Sequence, residues 1–316
     1  MPDEISQDLG SGITCIDAGY IQPWMVSFYL LEHGGECAII DTGTARSLPN
    51  LERVMAARGL GPDSVRYVAP THVHLDHAGG AGAMMQRFPA AQLLIHPRGA
   101  GHLVEPDRLV ASTRSVYGEQ RFRELYGDIT PVQADRVVEV EDGRVISLAG
   151  RDLEFRHTRG HADHHFCIWD RTSCGWFSGD MFGICYPWFR FDRGDFVLPA
   201  TAPNQFDPRA FEQSVELLAS YQPRSIYLTH SGALAFSAER AQLLLRQVRE
   251  YPVLACEHCG DPSAIEQKMG EYSLDILAGF NTGLGDVELM EMLAFDLDLN
   301  ARGVDLWLQR QAGENT

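Results

Sequence analysis

Short apolar runs separated by turn residues fill the first two thirds of the chain, and helical periodicity takes over towards its end. Ile13–Asp17 and the runs at 25–31 and 36–41 read as strands of an antiparallel meander. A helix is expected over 48–58, then a strand at Val65–Ala69 that leads straight into a cluster of histidines. Residues 79–88 have helical spacing, 92–96 reads as a strand, and 97–126 reads as irregular helix. A second set of strands is expected at 136–140, 145–147, 153–157, 165–169 and 174–178. The long, aromatic, proline-containing stretch 181–204 reads as a loop. A helix at 208–220 and a strand at Ser225–Leu228 close this half, and almost everything from 238 onward is helical. Two strand-rich halves, each finished by helices, predict an α+β fold with two sheets face to face and helices outside. The expected division is a catalytic domain over 1–237 and a helical extension over 238–316.

Composition narrows the function. A chain of 316 residues, 45% hydrophobic, buries enough apolar surface to fold without a structural metal, so a metal here would serve chemistry. The formal charge of −17, from 43 acidic and 26 basic residues, argues against nucleic acid, which needs a basic groove. Residues 1–12 lack the basic start and apolar core of a signal peptide. The run at 24–31 is too short to span a bilayer, so no membrane partner is expected. Seven scattered cysteines fit a reducing compartment, and the expected location is cytoplasmic.

The decisive segment is Thr71-His72-Val73-His74-Leu75-Asp76-His77. It follows a strand, and Gly79-Gly80 lets a helix begin behind it. Alternate residues His72 and His74 can face one way while Asp76 and His77 wrap to the other. Imidazole suits zinc, iron and related ions, and the carboxylate adds charge for a second cation. One histidine in a turn would be ordinary; four ligand-type residues in six positions are a poor match to a surface turn. Further ligand types stand on later strand-end loops: Gly160-His161, Gly179-Asp180 and Thr229-His230. A rigid sheet can hold single ligands accurately at such places.

Over residues 13–232 these marks resemble the metallo-β-lactamase superfamily. They are Asp41-Thr42-Gly43, the motif at 72–77, His157-Thr158-Arg159-Gly160-His161, Ser178-Gly179-Asp180 and Thr229-His230. The resemblance implies a four-layered αββα sandwich with two divalent metal ions at one edge, zinc first, with iron or manganese also suited. It implies that His72, His74 and His161 hold one ion, that Asp76, His77 and His230 hold the other, and that Asp180 bridges them. A hydroxide between the ions would be the nucleophile, with Asp76 and Asp180 as the catalytic carboxylates. Asp41 is expected to orient a ligand histidine. Arg159 stands where the superfamily usually has proline, which loosens that turn but removes no ligand. His161-Ala162-Asp163-His164-His165, residues 198–207 and Leu299-Asn300-Ala301-Arg302-Gly303 look most like a dinuclear hydrolase branch, similar to glyoxalase II and lactonases.

Such a site implies hydrolysis of an ester, thioester, lactone or phosphoester in a small molecule. Gly183 stands where homoserine-lactone hydrolases place a tyrosine, with Tyr186 the nearest substitute. The acidic C-terminal region, with Lys268 its one lysine, departs from the basic glutathione-binding region of glyoxalase II. Two readings of other classes stay open: a single-iron persulfide dioxygenase, and a non-catalytic sensor, which could tolerate the loss of ligands that this chain keeps. Tyr186, Trp188 and Phe189 either line an apolar substrate pocket or pack as core. Cys256-Glu257-His258-Cys259 lacks the partner pair of a structural zinc site. The tail at 238–311 is expected to shape the pocket together with the 181–204 loop. Part of its apolar surface, including Leu289, Met292, Leu293 and Leu297, could instead serve a homodimer.

Overall fold

The computed structural model describes residues 5–201 and 204–314. Of the segments singled out above, positions 1–4 of the polar start and 202–203 of the 198–207 segment lie outside the described residues. The meander forms where the apolar runs predict, with one short strand added before them: β1 (Ser6–Asp8), β2 (Ile13–Asp17), β3 (Ser27–His33) and β4 (Glu36–Ile40) are antiparallel neighbours. Helix α1 (Leu48–Ala57) has proline in its first turn, where the missing N–H costs nothing, and buries Leu51, Val54 and Met55. The chain then reverses its pairing mode. β5 (Val65–Ala69) lies parallel to β4, and after α2 (Leu75–Ala78) and α3 (Ala81–Arg87), β6 (Gln92–Ile95) lies parallel to β5. The irregular helical stretch resolves into α4 (Pro97–Val104), α5 (Asp107–Tyr117) and α6 (Glu119–Tyr126), before β7 (Val137–Glu139) completes the seven-stranded sheet.

β8 (Val145–Leu148), β9 (Arg151–His157), β10 (Phe166–Asp170) and β11 (Gly175–Gly179) form a second antiparallel run. The 181–204 stretch is not a bare loop: it carries a small hairpin, β12 (Arg190–Phe191) with β13 (Gly194–Asp195). Helix α7 (Pro208–Ser220) starts where Asp207 accepts from the Arg209 and Ala210 amides, both at 3.0 Å. β14 (Ser225–Leu228) then joins β11 in parallel, and β15 (Gly232–Ala235) adds an edge that alternation over four residues is too short to announce. The rest is helical: α8 (Ala238–Ala255), α9 (Pro262–Leu277) and α10 (Asp286–Glu314). No helix among the described residues is long and apolar enough to cross a membrane.

The chain groups into two compact units. One is Met1–His157, His164–Gly179 and Pro223–Ala235; the other is Thr158–Asp163, Asp180–Gln222 and Phe236–Thr316. The first unit contains both sheets, whose inner faces share one core. Tyr29, Leu31 and Ile40 of the seven-stranded sheet cluster with Leu153, Phe155, Phe166 and Phe177 of the six-stranded one. Each such side chain contributes about 1.5–3 kcal/mol on burial. Parallel pairing matters most for function. Ile40 pairs with Ala69 and Gly179 with Leu228, so within each sheet two strands finish side by side and their following loops share an edge.

In the second unit the helical tail buttresses the 181–201 stretch. The Asn300 side chain accepts from the Thr201 amide at 2.7 Å and donates to the Pro199 carbonyl at 2.7 Å, and Gln247 donates to the Val197 carbonyl at 2.7 Å. Leu289, Leu293 and Leu297 are buried at spacings of four residues, and Met292 is half-buried.

Candidate metal centre

His72 and His74 lie on the extended segment after β5, and α2 begins immediately behind them. That short helix carries Asp76 and His77, so these two candidate ligands stand on helical turns and not in an open loop. Thr42 fixes the frame: its amide and its hydroxyl both donate to the His77 carbonyl, each at 2.7 Å.

Asp41, buried beyond the end of β4, gathers what the loops deliver. Its Oδ1 accepts from the Thr71 amide at 2.7 Å and the Thr71 hydroxyl at 2.9 Å. Its Oδ2 accepts from the Thr229 hydroxyl at 2.5 Å and faces His77 Nδ1 at 3.2 Å. Because the Thr71 proton goes to Asp41, the Thr71 oxygen at 3.2 Å accepts from His72 Nδ1. His72 Nε2 is thereby left facing His74 Nδ1, 2.8 Å away. His230 obeys the same rule, with Nδ1 3.1 Å from the Met25 carbonyl. A carbonyl only accepts, so Nδ1 carries the proton and Nε2 keeps its lone pair.

The outward nitrogens converge with a carboxylate. Asp76, His77 and His230 present ligand atoms that all lie within 4.8 Å of one another. Asp76 Oδ2 is 3.6 Å from His77 Nε2 and 3.4 Å from His230 Nε2. Ligands about 2.0–2.2 Å from one tetrahedral ion are spaced by roughly 3.3–3.6 Å, and the distances from Asp76 to both histidines match that spacing.

The second unit has a histidine–carboxylate pair of its own. His161 Nε2 lies 3.2 Å from Asp180 Oδ2, and His161 Nδ1 is tied to the Ala200 carbonyl at 2.8 Å. The turn before His161 is held from two sides: Asp207 donates its amide to the Gly160 carbonyl at 2.9 Å, and Ser214 donates to the Arg159 carbonyl at 2.7 Å. Gly160 has φ +123° and presses on α7 so closely that a Cβ would sit 2.2 Å from the Phe211 nitrogen. Arg159, in the position the resemblance assigns to proline, pairs with Asp163 at 2.7 Å.

Tyr186 and Phe189 are buried, and Trp188 is half-buried. The Tyr186 hydroxyl donates to Asp296 of α10 at 3.1 Å, and its ring lies on Trp188 at 4.6 Å. His164 and His165 place their rings 6.1 and 5.1 Å from that of His72. The thiols of Cys256 and Cys259 are exposed, and no metal-ligand cluster gathers around them among the described residues. The sequence motifs contain Thr71 and Thr229 but gave them no role, although a threonine before a candidate ligand histidine occurs twice. Sequence reasoning also passed over Tyr20 and Tyr126, whose hydroxyls meet at 3.0 Å in buried surroundings. Burial, and behind it the Asp76 carboxylate, raises the Tyr20 phenol above its ordinary pKa. For Tyr126 burial again comes first, followed by Tyr20 and Asp76.

The family model of the metallo-beta-lactamase superfamily matches residues 21–230, a span that contains Asp41 and all seven candidate ligands. The chain belongs to the metallo-beta-lactamase superfamily. An acyl-coenzyme A thioesterase of Gallus gallus is 31% identical over 205 residues, 60% of this chain and 71% of that one. A metallo-beta-lactamase fold-containing protein of Sulfurisphaera tokodaii is 24% identical over 229 residues, covering 71% and 80%. Among solved structures, a metallo-beta-lactamase family protein from Thermus thermophilus superposes with a TM-score of 0.66 at 20% identity, over 96% of this chain and 95% of that one. The fold is the α+β sandwich expected from the motifs.

Proposed function

We propose that this protein is a metal-dependent hydrolase of small-molecule acyl thioesters, with the seven residues His72, His74, Asp76, His77, His161, Asp180 and His230 as its ligands. The observation that carries the reading is the spacing of Asp76, His77 and His230, with each histidine held at Nδ1 by an acceptor and turned outward through Nε2. In this reading, which follows the family resemblance, His72, His74 and His161 would hold one ion, Asp76, His77 and His230 a second, and Asp180 would be shared by both. Divalent ions there would polarise the thioester carbonyl and bring the pKa of water down to about 7. Asp41 keeps His77 in one tautomer and, through Thr71, does the same for His72. The Asp76 side chain is the most exposed of its triad at 21%, which suits it to accept a proton from attacking water.

The thioester preference rests on the thioesterase similarity, and zinc on the nitrogen-rich donor set. Seven free thiols favour a cytoplasmic setting. The test is metal analysis of protein purified without added metal, followed by assays with acyl-coenzyme A, S-lactoylglutathione, a lactone and a phosphodiester. Thioester turnover that a chelator abolishes and divalent metal restores is expected. One iron per chain, oxygen uptake on adding glutathione persulfide and no hydrolysis would replace this reading with the dioxygenase.

A further inference from the structure

The Tyr20–Tyr126 pair has a proton too many. Two phenols bring two hydroxyl protons, and their mutual hydrogen bond at 3.0 Å uses one. The hydroxyls are bonded only to each other among the described residues, while Tyr20 and Tyr126 are 4% and 3% exposed. A buried hydroxyl proton is costly to leave without an acceptor, so the pair is a ready donor to an oxygen that reaches it.

Its position says where that acceptor belongs. Tyr20 lies in the loop between β2 and β3, and the same loop offers the Met25 carbonyl to ligand His230. The loop is held in an uncommon conformation: Ile21 at φ +56° and Trp24 at φ +62° both occupy the left-handed region, and Ile21 is β-branched. Strain of this kind persists where neighbouring structure enforces it, often beside a binding site. Tyr126 ends α6, on a separate part of the chain, so two elements converge to build the pair.

We propose that the Tyr20–Tyr126 hydroxyl pair is a substrate-binding site, donating its remaining proton to the acyl oxygen of a molecule held beside Asp76, His77 and His230. Both phenols stay protonated at neutral pH, so the donor is permanently available. The assignment of the acceptor as a thioester oxygen rests on the hydrolase reading; the existence of an oxygen-acceptor site does not.

The experiment uses the metal-loaded protein and its Tyr20→Phe and Tyr126→Phe variants, which keep both rings. Acetohydroxamic acid, a metal-seeking carbonyl compound, is the probe, followed by calorimetry and by the tyrosine near-ultraviolet difference spectrum. Either substitution is expected to weaken probe binding about 3- to 10-fold and to abolish the tyrosine signal, with metal content unchanged. On a thioester, kcat is expected to fall roughly 10- to 100-fold with KM nearly constant. Unaltered probe affinity in both variants overturns the proposal, and so does the absence of any tyrosine perturbation in the unsubstituted protein. The second readout holds even if a variant fails to fold. Weakened probe binding in a protein that hydrolyses no thioester would sink the hydrolase reading and leave the pair standing.

Discussion

The hydroxyl of Thr229 donates to Asp41 Oδ2 at 2.5 Å across 188 positions of sequence. Thr229 follows a strand of the six-stranded sheet and Asp41 a strand of the seven-stranded sheet, so this contact ties together the edges of both that carry the candidate ligands. Asp41 therefore has two functions, holding the edges in register and fixing the tautomer of His77. Asp41→Ala removes four acceptor contacts at once. Metal affinity, measured by competition with a chromophoric chelator, is expected to fall roughly 10- to 100-fold. Thr229→Val removes one contact and should cost less. Equal affinity in Asp41→Ala and the unsubstituted protein would show that the histidines orient themselves.

Gly179 precedes Asp180 at φ +50°, and a Cβ there would lie 2.6 Å from both His165 Nε2 and Thr71 Oγ1. Thr71 is the residue that relays Asp41 to His72, so an added methyl strikes the support of the centre. Gly179→Ala costs about 1–2 kcal/mol for the left-handed backbone alone, and more for the displaced side chains. A lower Tm together with reduced metal content is the expected result. A variant with reduced Tm and full metal loading would separate the backbone strain from the support of His72.

Much of this was legible because its physics is local. The short, turn-bounded runs at 13–17 and 65–69 set strands of those lengths, and ligand types clustered at strand ends announce a site. The supports were not legible, since Thr71, Thr229, Met25 and Ala200 act through one hydroxyl or one carbonyl that any sequence contains. The 181–204 stretch reads as a loop because its hairpin strands are two residues long, below any detectable period. Asn300, visible in the sequence only as part of a family-like segment, holds Thr201 and Pro199. Tyr20 and Tyr126 stand 106 positions apart and follow no spacing rule.

A buried ion pair predicts the acid limit of the fold. Arg151 Nε donates to Asp170 Oδ1 at 2.9 Å, and both side chains are almost wholly buried. Burial pushes the Asp170 carboxyl up, but hydrogen bonds from Arg151 and Ser173 outweigh it and leave the pKa lowered. A folded pKa below the unfolded value of about 3.9 gives stability that is present above that pH and lost as pH falls through the folded value. Asp170→Asn leaves Arg151 uncompensated and should cost about 3–5 kcal/mol at neutral pH. Denaturant titrations should show that gap holding from neutrality down to about pH 4 and narrowing below. A gap that stays constant down to strong acid would mean the carboxylate charge is not what stabilises the pair.

Removal of single ligands tests whether two ions are held. His77 is suited to this because its backbone is anchored separately: Thr42 binds the His77 carbonyl twice, so His77→Ala should leave α2 in place. What is lost is one nitrogen of the Asp76–His77–His230 triad. A site reduced to two ligands should empty first under mild chelation, leaving about one ion per chain where about two are expected. Asp180 is different in kind. It pairs with His161, and the proposed ligand set makes it the carboxylate shared by both ions, so Asp180→Ala should weaken both and remove most hydrolytic turnover. Elemental analysis of the two variants beside the unsubstituted protein decides the matter. Equal metal loss in both would show that the ions are held as one cooperative unit. A full two-ion complement in His77→Ala would remove His77 from the ligand set and with it the second site.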